Sequence, residues 1–370
     1  MAKRKGDNRL YEQQNKTGRD RPLRVLMVTG AYPTIQRPHA GTFVKSQVDS
    51  LIEAGLHVEV LHPQPGPTPL RYLAALYCVW RAAFTRRFDI IHGHYGLWCV
   101  VARLQWTTPV VASFWGDDLL GTITPRGTYG RKSRVVAWVS RALCSAVDAV
   151  IVKSEQMRHL AGSSHENVHV VPNGVNFAQF RPLPRSEARA NLGWQQDGFY
   201  VLFGNNPDIP VKNFPLAQAS IEHLRDRGIE AELIVANGLP HDAVVQYMNA
   251  SNALLLTSRA EGSPNVVKEA MACNVPVVAT NVGDVAAVIG KTAGCAICAQ
   301  NADALAAGLA QALRHYGPTS GRSDIRHLDN ALVAQRVIAI YRRVMKMHGA
   351  DTRVERIESE QKDTVYAQES

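Results

Sequence analysis

Residues 252–282, NALLLTSRAEGSPNVVKEAMACNVPVVATNV, contain a strand, a loop, a helix and a second strand in one short span. NALLLTS (252–258) and PVVATNV (276–282) are apolar runs of strand length, rich in Leu and Val and closed by polar residues. Between them Ser263 suits a helix N-cap and Pro264 the first helical position. At about 100° per residue, Val266, Val267, Ala270 and Met271 share an apolar face, while Asn265 and Glu269 point away from it. Two strands joined through a helix form a parallel pair, which needs helices covering its sheet.

The same alternation runs outward in both directions. YVLFGNN (200–206), AELIVAN (231–237) and GCAIC (294–298) complete one set of strands. RVLMVTG (24–30), HVEVLHP (57–63), FDIIHGH (88–94), PVVASFW (109–115) and DAVIVKS (148–154) form an earlier set, with VHVVPNGVN (168–176) closing it. Phe43, Val44, Val48, Leu51 and Ile52 keep helical spacing from Thr42 until Gly55. The fold class is therefore α/β, with two Rossmann-like domains. Pro182 and Pro184 mark the boundary. The expected order is a basic tail (1–22), a first domain (23–171), a linker (172–186), a second domain (187–330), a helix able to cross back (331–348) and a second tail (349–370). Ligands in such sheets bind beyond the carboxyl ends of the strands, here the cleft between domains.

Apolar residues make up 46% and charged residues 20% of the 370, a globular balance that excludes a mainly disordered or collagenous chain. The six Cys show no disulfide framework, and the pair Cys295 and Cys298 lacks a second pair to complete a metal site, so inert buried thiols are expected. No run reaches the roughly 18 apolar residues of a membrane span, and no apolar segment follows the basic N-terminus as in a secretory signal. The expected location is cytoplasmic. Residues 1–24 carry eight basic side chains against three acidic, and residues 350–370 three against six. Both read as disordered tails. From Leu119 to Val147 the chain has Arg126, Arg131, Lys132, Arg134 and Arg141 without one acid, which points to an anionic partner. No nucleic-acid-binding module accompanies this charge.

The first strand runs into TGAYPTIQRPHAGTFVK (29–45), where Gly30 and Gly41 do not form a G-x-G-x-x-G fingerprint. Walker and G-x-S-x-G motifs are also absent, which lowers dehydrogenase, kinase and hydrolase readings together. The densest polar cluster is the loop of the opening stretch, with Glu261 before the helix and Glu269 a turn inside it. The backbone N–H groups of Asn265, Val266 and Val267 lack intrahelical partners and suit a phosphate. A helix terminus contributes roughly 0.3 to 2 kcal/mol toward an anion, so a cation is needed as well. Lys212, in the loop after YVLFGNN, is the candidate. On pattern alone, a solvated helix with Glu269 as an ion-pair partner fits equally well.

Glu261 to Glu269, within EGSPNVVKEAMACNVPVVAT (261–280), resembles the E-x7-E signature of retaining GT-B glycosyltransferases of family 4. RVLMVTGAYP with GTFVK (41–45), DIIHGH (89–94), VHVVPNGVN and VGDVAAVI (282–289) are similar to further family elements in the same order, over about residues 23–345. The resemblance implies a GT-B fold, a nucleoside-diphosphate-sugar donor on the second domain, an acceptor on the first, and retaining transfer without a metal or other cofactor. Glu261 would meet the donor sugar hydroxyls near the reacting carbon, and Glu269 the ribose hydroxyls. Lys212 would neutralise the diphosphate, and Gly41 would let its loop approach the donor. Ser263, Pro264, Asn265 and Val266 would complete the donor site.

Two positions depart from the family pattern. Asn205 and Asn206 stand where a phosphate-binding Arg is common, with Arg259 the candidate substitute. Trp115 stands where many members have a His, leaving His94 and Asp118 as candidates for that role or Trp115 as a stacking platform. At most one of His92 and His94 is expected to face the cleft. LRYLAALYCVWRAAFTRRF (70–88), apolar with four Arg, and the basic run with Tyr129 and Trp138 suit an anionic membrane surface and a sugar or lipid-linked acceptor. A core helix with a basic rim is the plainer alternative. A soluble transferase of a small molecule and a weakly active sugar-nucleotide binder are the competing functions.

Overall fold

A computed structural model describes residues 21–37, 40–63, 68–122, 130–162, 166–315 and 317–349. The two tails beyond residues 21 and 349, Arg126 and Tyr129 lie outside the described residues. The first sheet contains β1 (Arg24–Thr29), β2 (His57–Leu61), β3 (Ile90–His94), β4 (Val110–Ser113), β5 (Ala149–Val152) and β6 (Val168–Val170). The second contains β7 (Tyr200–Phe203), β8 (Glu232–Val235), β9 (Ala253–Leu256), β10 (Val277–Thr280) and β11 (Ala296–Cys298). Their orders are β2-β1-β3-β4-β5-β6 and β11-β10-β9-β7-β8, and every pairing within them is parallel. The strand order reverses beside β1 and beside β7, so each sheet has a switch point where a crevice opens.

The helices of the first domain are α1 (Thr42–Glu53), α2 (Thr68–Phe84), α3 (Gly96–Arg103), α4 (Asp117–Leu120), α5 (Arg131–Leu143) and α6 (Glu155–Gly162). In the second domain α7 (Arg185–Leu192), α8 (Phe214–Arg225), α9 (His241–Ala250), α10 (Asn265–Ala272), α11 (Val285–Ile289), α12 (Ala302–Leu313) and α13 (Gly321–Asp324) follow. The final helix is α14 (Asn330–Met347). One face of the first sheet buries Ala75 and Val79 of α2, Trp98 and Cys99 of α3 and Leu143 of α5. Its other face buries Val44, Val48 and Leu51 of α1 together with Val333, Val337 and Tyr341 of α14. The last helix thus follows the second domain in sequence but packs on the first. Asn330 donates to Ser46 (2.9 Å), and the Tyr341 hydroxyl meets His92 Nδ1 at 2.6 Å.

The domains touch where Trp115 and Gly116 of the first meet Gly262 of the second. A Cβ on Gly262 would lie 2.1 Å from the Trp115 carbonyl oxygen, so this contact requires glycine. The connector adds a second tie. Asn173 receives no help from sheet bonds but donates its backbone N–H to Ser263 Oγ (3.1 Å) and its side-chain amide to Ser263 O (3.1 Å) and Asn265 Oδ1 (2.9 Å).

Candidate active site

The loop after β9 is held to the segment before α8 by a set of short bonds. Thr257 Oγ1 donates to the Lys212 carbonyl at 2.8 Å, Arg259 N to the Val211 carbonyl at 2.8 Å, and Thr280 Oγ1 to the Ser258 carbonyl at 2.7 Å. These bonds bring together Lys212 and Glu261, which are far apart in sequence. Lys212 Nζ lies 2.6 Å from Glu261 Oε1, and Ser258 Oγ donates to the same oxygen at 2.7 Å. Both partners are largely but not wholly shielded, at 19% and 13% side-chain exposure, so an incoming ligand can reach them.

At the start of α10 the structure corrects the expected cap. The cap residue is Pro264 and the helix begins at Asn265. The Ser263 hydroxyl turns inward instead, donating to Asp284 Oδ2 at 2.7 Å and accepting from Lys268 Nζ and Asn173 N. Lys268 is fully buried and paired with Asp284 at 2.9 Å. This pair fixes the loop behind the helix terminus, whose first-turn N–H groups lack intrahelical partners and whose Asn265 and Val266 line the cleft. Glu269 is half-buried on the cleft side, and burial pushes its carboxyl up to about 7.

The cleft has a volume of ≈ 590 Å³. Glu261, Lys212, Ser263, Pro264, Asn265, Val266 and Glu269 all line it, as do Asn205 and, from the first domain, Phe43, Tyr95 and Trp115. Asn205 replaces the expected Arg with a shielded amide nitrogen that has no partner among the described residues. Four expected site residues do not line the cleft. Arg259 is exposed and its guanidinium donates to Asn213 Oδ1 at 3.2 Å. Gly41 is buried in a left-handed conformation (φ 66°), where a Cβ would lie 2.2 Å from the Ala31 carbonyl oxygen; its neighbours Thr42 and Phe43 line the cleft. Asp118 is buried and accepts from Trp115 N and Gly116 N, both at 3.0 Å, which anchors the loop rather than presenting a carboxylate to the cleft. Burial raises that carboxyl to about 7.

His94 is the fourth. Being two residues apart on one strand, His92 and His94 share a face of β3, and their ring centroids stand 4.3 Å apart. At most one is expected to face the cleft, and neither does: both rings are fully buried, side by side instead of on opposite faces. His92 is satisfied by Tyr341 and Ser113, and burial lowers its pKa to about 3. His94 lies behind Trp115, accepts from the indole Nε1 at 3.2 Å and has its pKa held well below the ordinary value by burial and by His92. The other side of Trp115 packs on Phe43 (4.3 Å between centroids), and Lys153 Nζ lies 4.1 Å from the indole centroid. Trp115 is therefore a supported aromatic wall.

The family model described as Glycosyltransferase Family 4 matches residues 20–179, and the one described as Glycosyl transferases group 1 matches residues 197–315. Together they span both domains. The chain belongs to the family 4, group 1 glycosyltransferases. Among relatives of this family member is D-inositol 3-phosphate glycosyltransferase 1 of Catenulispora acidiphila, 28% identical over 237 residues, which are 53% of this chain and 56% of that protein. The chain thus spans little more than half the length of that relative. TuaC of Bacillus subtilis, whose name assigns it to teichuronic acid biosynthesis, is 26% identical over 349 residues, or 77% of this chain and 87% of TuaC. Sucrose-phosphate synthase from Thermosynechococcus elongatus shares the fold with a TM-score of 0.68 at 19% identity, over 88% of this chain and 100% of that chain. Anabaena HepE, solved with UDP and glucose, gives 0.60 at 16% over 89% and 100%. These likenesses establish the two-domain GT-B architecture of the family member.

Sequence reasoning passed over Lys268, Asp284, Ser258 and Lys153. Lys268 carried a usable signal, since a Lys in a short helix that also holds Val266, Val267, Ala270 and Met271 needs an acidic partner once the helix is covered on both sides. Lys153 carried none, because its position at the end of β5 matches any strand terminus.

Proposed function

We propose that the chain transfers a glycosyl group from a nucleoside-diphosphate sugar to an acceptor hydroxyl with retained anomeric configuration. The observation that carries this reading is the Lys212–Glu261 pair, which shares the cleft with the start of α10 at the carboxyl ends of β7 and β9. Only Glu261 Oε1 is engaged by Lys212 and Ser258 among the described residues, which leaves Oε2 for a sugar hydroxyl. The helix terminus, Lys212 and the Asn205 amide converge on the place for a diphosphate. Glu269 is positioned for the ribose diol, which a carboxylate can accept with two oxygens.

In the reaction, the bond between the anomeric carbon and the diphosphate oxygen breaks, and that oxygen keeps the electron pair. Lys212 and the α10 terminus stabilise the developing negative charge. The acceptor oxygen bonds to the anomeric carbon on the same face, and its proton passes to the departing diphosphate. These groups take the place of a divalent ion, so EDTA is expected to leave the rate unchanged. Anabaena HepE has also been solved with UDP-glucose, which makes UDP-glucose the first donor to try. A screen of UDP- and GDP-sugars for slow hydrolysis and thermal stabilisation tests the reading; no response from any sugar nucleotide would contradict it.

The acceptor belongs, in this proposal, to surface-polysaccharide or glycolipid synthesis, in line with the name of TuaC, with the enzyme peripheral on an anionic membrane. The support is α2. Leu70, Leu73, Tyr77, Trp80 and Phe84 are all exposed and recur at intervals of three and four, forming one apolar stripe, with Trp106 packed edge-on against Trp80 at 6.1 Å. Exposed Arg81 and Arg86 border it, while Arg87 is paired with Glu59 at 2.7 Å. Each basic residue adds about 1 kcal/mol near an anionic leaflet. No described helix is long and apolar enough to cross a membrane. Sedimentation with anionic vesicles should show binding that falls with salt and is weakened by Trp80→Ser with Phe84→Ser; absence of binding at low salt would favour a soluble acceptor.

A further inference from the structure

A second hollow of ≈ 780 Å³ opens in the first domain beside the cleft, and the two share Leu120 and Gly121 in their walls. Its lining is supplied by α5, α6 and the end of α4. Arg134, Trp138 and Arg141 recur at intervals of four and three, so they lie along one face of α5, with Ala137 as the floor and Gln156 of α6 opposite. The two guanidinium groups start about 10 Å apart along the helix axis, with the indole between them. Arg141 is aimed by a bond from its guanidinium to the Leu119 carbonyl at 2.9 Å. Arg134 and Arg141 are exposed and form no ion pair among the described residues, and no acid occurs between Leu119 and Val147 to neutralise them.

A hollow with two unneutralised guanidiniums and an exposed aromatic face, continuous with the place of glycosyl transfer, has the chemistry for a phosphorylated sugar. Guanidinium forks match phosphate oxygens in pairs of bonds, and an indole face covers the apolar side of a sugar ring. We propose that this hollow is the acceptor's subsite and that the acceptor bears a phosphate or diphosphate group held by Arg134 and Arg141 against Trp138. The proposal rests on the glycosyl-transfer reading above and adds the chemical class of the acceptor. The group is carried by either a soluble sugar phosphate or a lipid-linked one; the recognition chemistry is the same.

Inorganic pyrophosphate titrated by calorimetry into the full chain saturated with UDP is the direct test, since UDP occupies the cleft and the Arg134→Glu comparison assigns the remaining binding to the hollow. Binding of one pyrophosphate per UDP-loaded chain is expected, weakened by about tenfold or more in Arg134→Glu, the scale of a lost charged hydrogen bond, while UDP affinity is kept. No binding to the UDP-loaded wild type, or binding unchanged in Arg134→Glu, would overturn the proposal. Should UDP itself fail to bind, the donor reading fails, and the same pyrophosphate titration on the free protein still reports on Arg134. Vesicles of phosphatidylcholine with phosphatidic acid separate the two sources. Vesicle binding displaced by pyrophosphate and lost in Arg134→Glu identifies a lipid-borne phosphate, and pyrophosphate binding without vesicle binding identifies a soluble one.

Discussion

On the second-domain wall of the cleft, Glu261, Lys212 and Glu269 reach the open space with their own charged groups, whereas on the first-domain wall Phe43, Tyr95 and Trp115 face it beside the exposed carboxylate of Asp117, and three further ionisable residues stand behind them. His94, Asp118 and Lys153 are all buried there. Burial favours the uncharged form of each, lowering His94, lowering Lys153 to about 7 and raising Asp118 to about 7. One wall presents a cation and two carboxylates; the other is mainly aromatic, with Asp117 as its carboxylate at the cleft and its buried titratable groups holding the surface in place.

The largest effect should therefore come from the charged wall. Glu261→Gln loses a charged hydrogen-bond partner and should lower kcat/KM by roughly 10- to 150-fold, the equivalent of about 1.5 to 3 kcal/mol, with the melting temperature little changed. Wild-type kinetics in this variant would erase the distinction between the walls.

On the other wall the next effect is structural. Asp118→Ala strands the N–H groups of Trp115 and Gly116 and should cost about 1 to 3 kcal/mol in urea unfolding, with Asp118→Asn recovering much of it because an amide oxygen still accepts. The folded carboxyl titrates at about 7 against an ordinary value of 3.8. The stabilisation this protonated group provides is complete below pH 3.8 and is lost as pH rises through about 7. Wild type should therefore lose stability relative to Asp118→Asn over that window. Parallel pH–stability curves for the two would show that Asp118 is not held as a buried acid.

Glu269 sharpens the comparison with a smaller, pH-dependent effect. Its free-protein pKa of about 7 should fall when ribose hydroxyls bond to the carboxylate. UDP-glucose affinity should consequently rise with pH through neutrality in wild type and stay flat in Glu269→Gln. The same slope in both would detach Glu269 from the nucleotide. The smallest effect is predicted for His94→Asn. A ring already neutral across the working range contributes no limb to the pH–rate profile, so the profile should keep its shape; loss of an acidic limb would restore His94 as an acid–base group.

The contrast also explains what could be read from the sequence. Strands such as AVIV of β5 and ALLL of β9 are buried on both faces and announce themselves as apolar runs. Glu261, the α10 start and Glu269 lie within nine residues, so local spacing preserved their geometry. Lys212 joined them only through the tertiary bonds of Thr257 and Arg259, but its loop follows a recognisable strand. The first-domain wall was less legible because its arrangement depends on depth. Whether His94 meets a ligand or supports Trp115 depends on a neighbouring strand's loop, and periodicity carries no record of that. Lys268 hinted at a buried partner from its place in a short apolar helix, but which acid it meets was hidden for the same reason, since Asp284 looks like an ordinary surface charge until it is seen 2.9 Å away.

The central claim is that Lys212 and the α10 terminus bind the diphosphate of a sugar nucleotide. Calorimetric titration of wild type and Lys212→Ala with UDP and with uridine measures this directly. The account predicts that wild type binds UDP more tightly than uridine and that Lys212→Ala removes most of the difference while leaving uridine affinity nearly unchanged. Equal losses for both ligands, or UDP affinity untouched by Lys212→Ala, would contradict it.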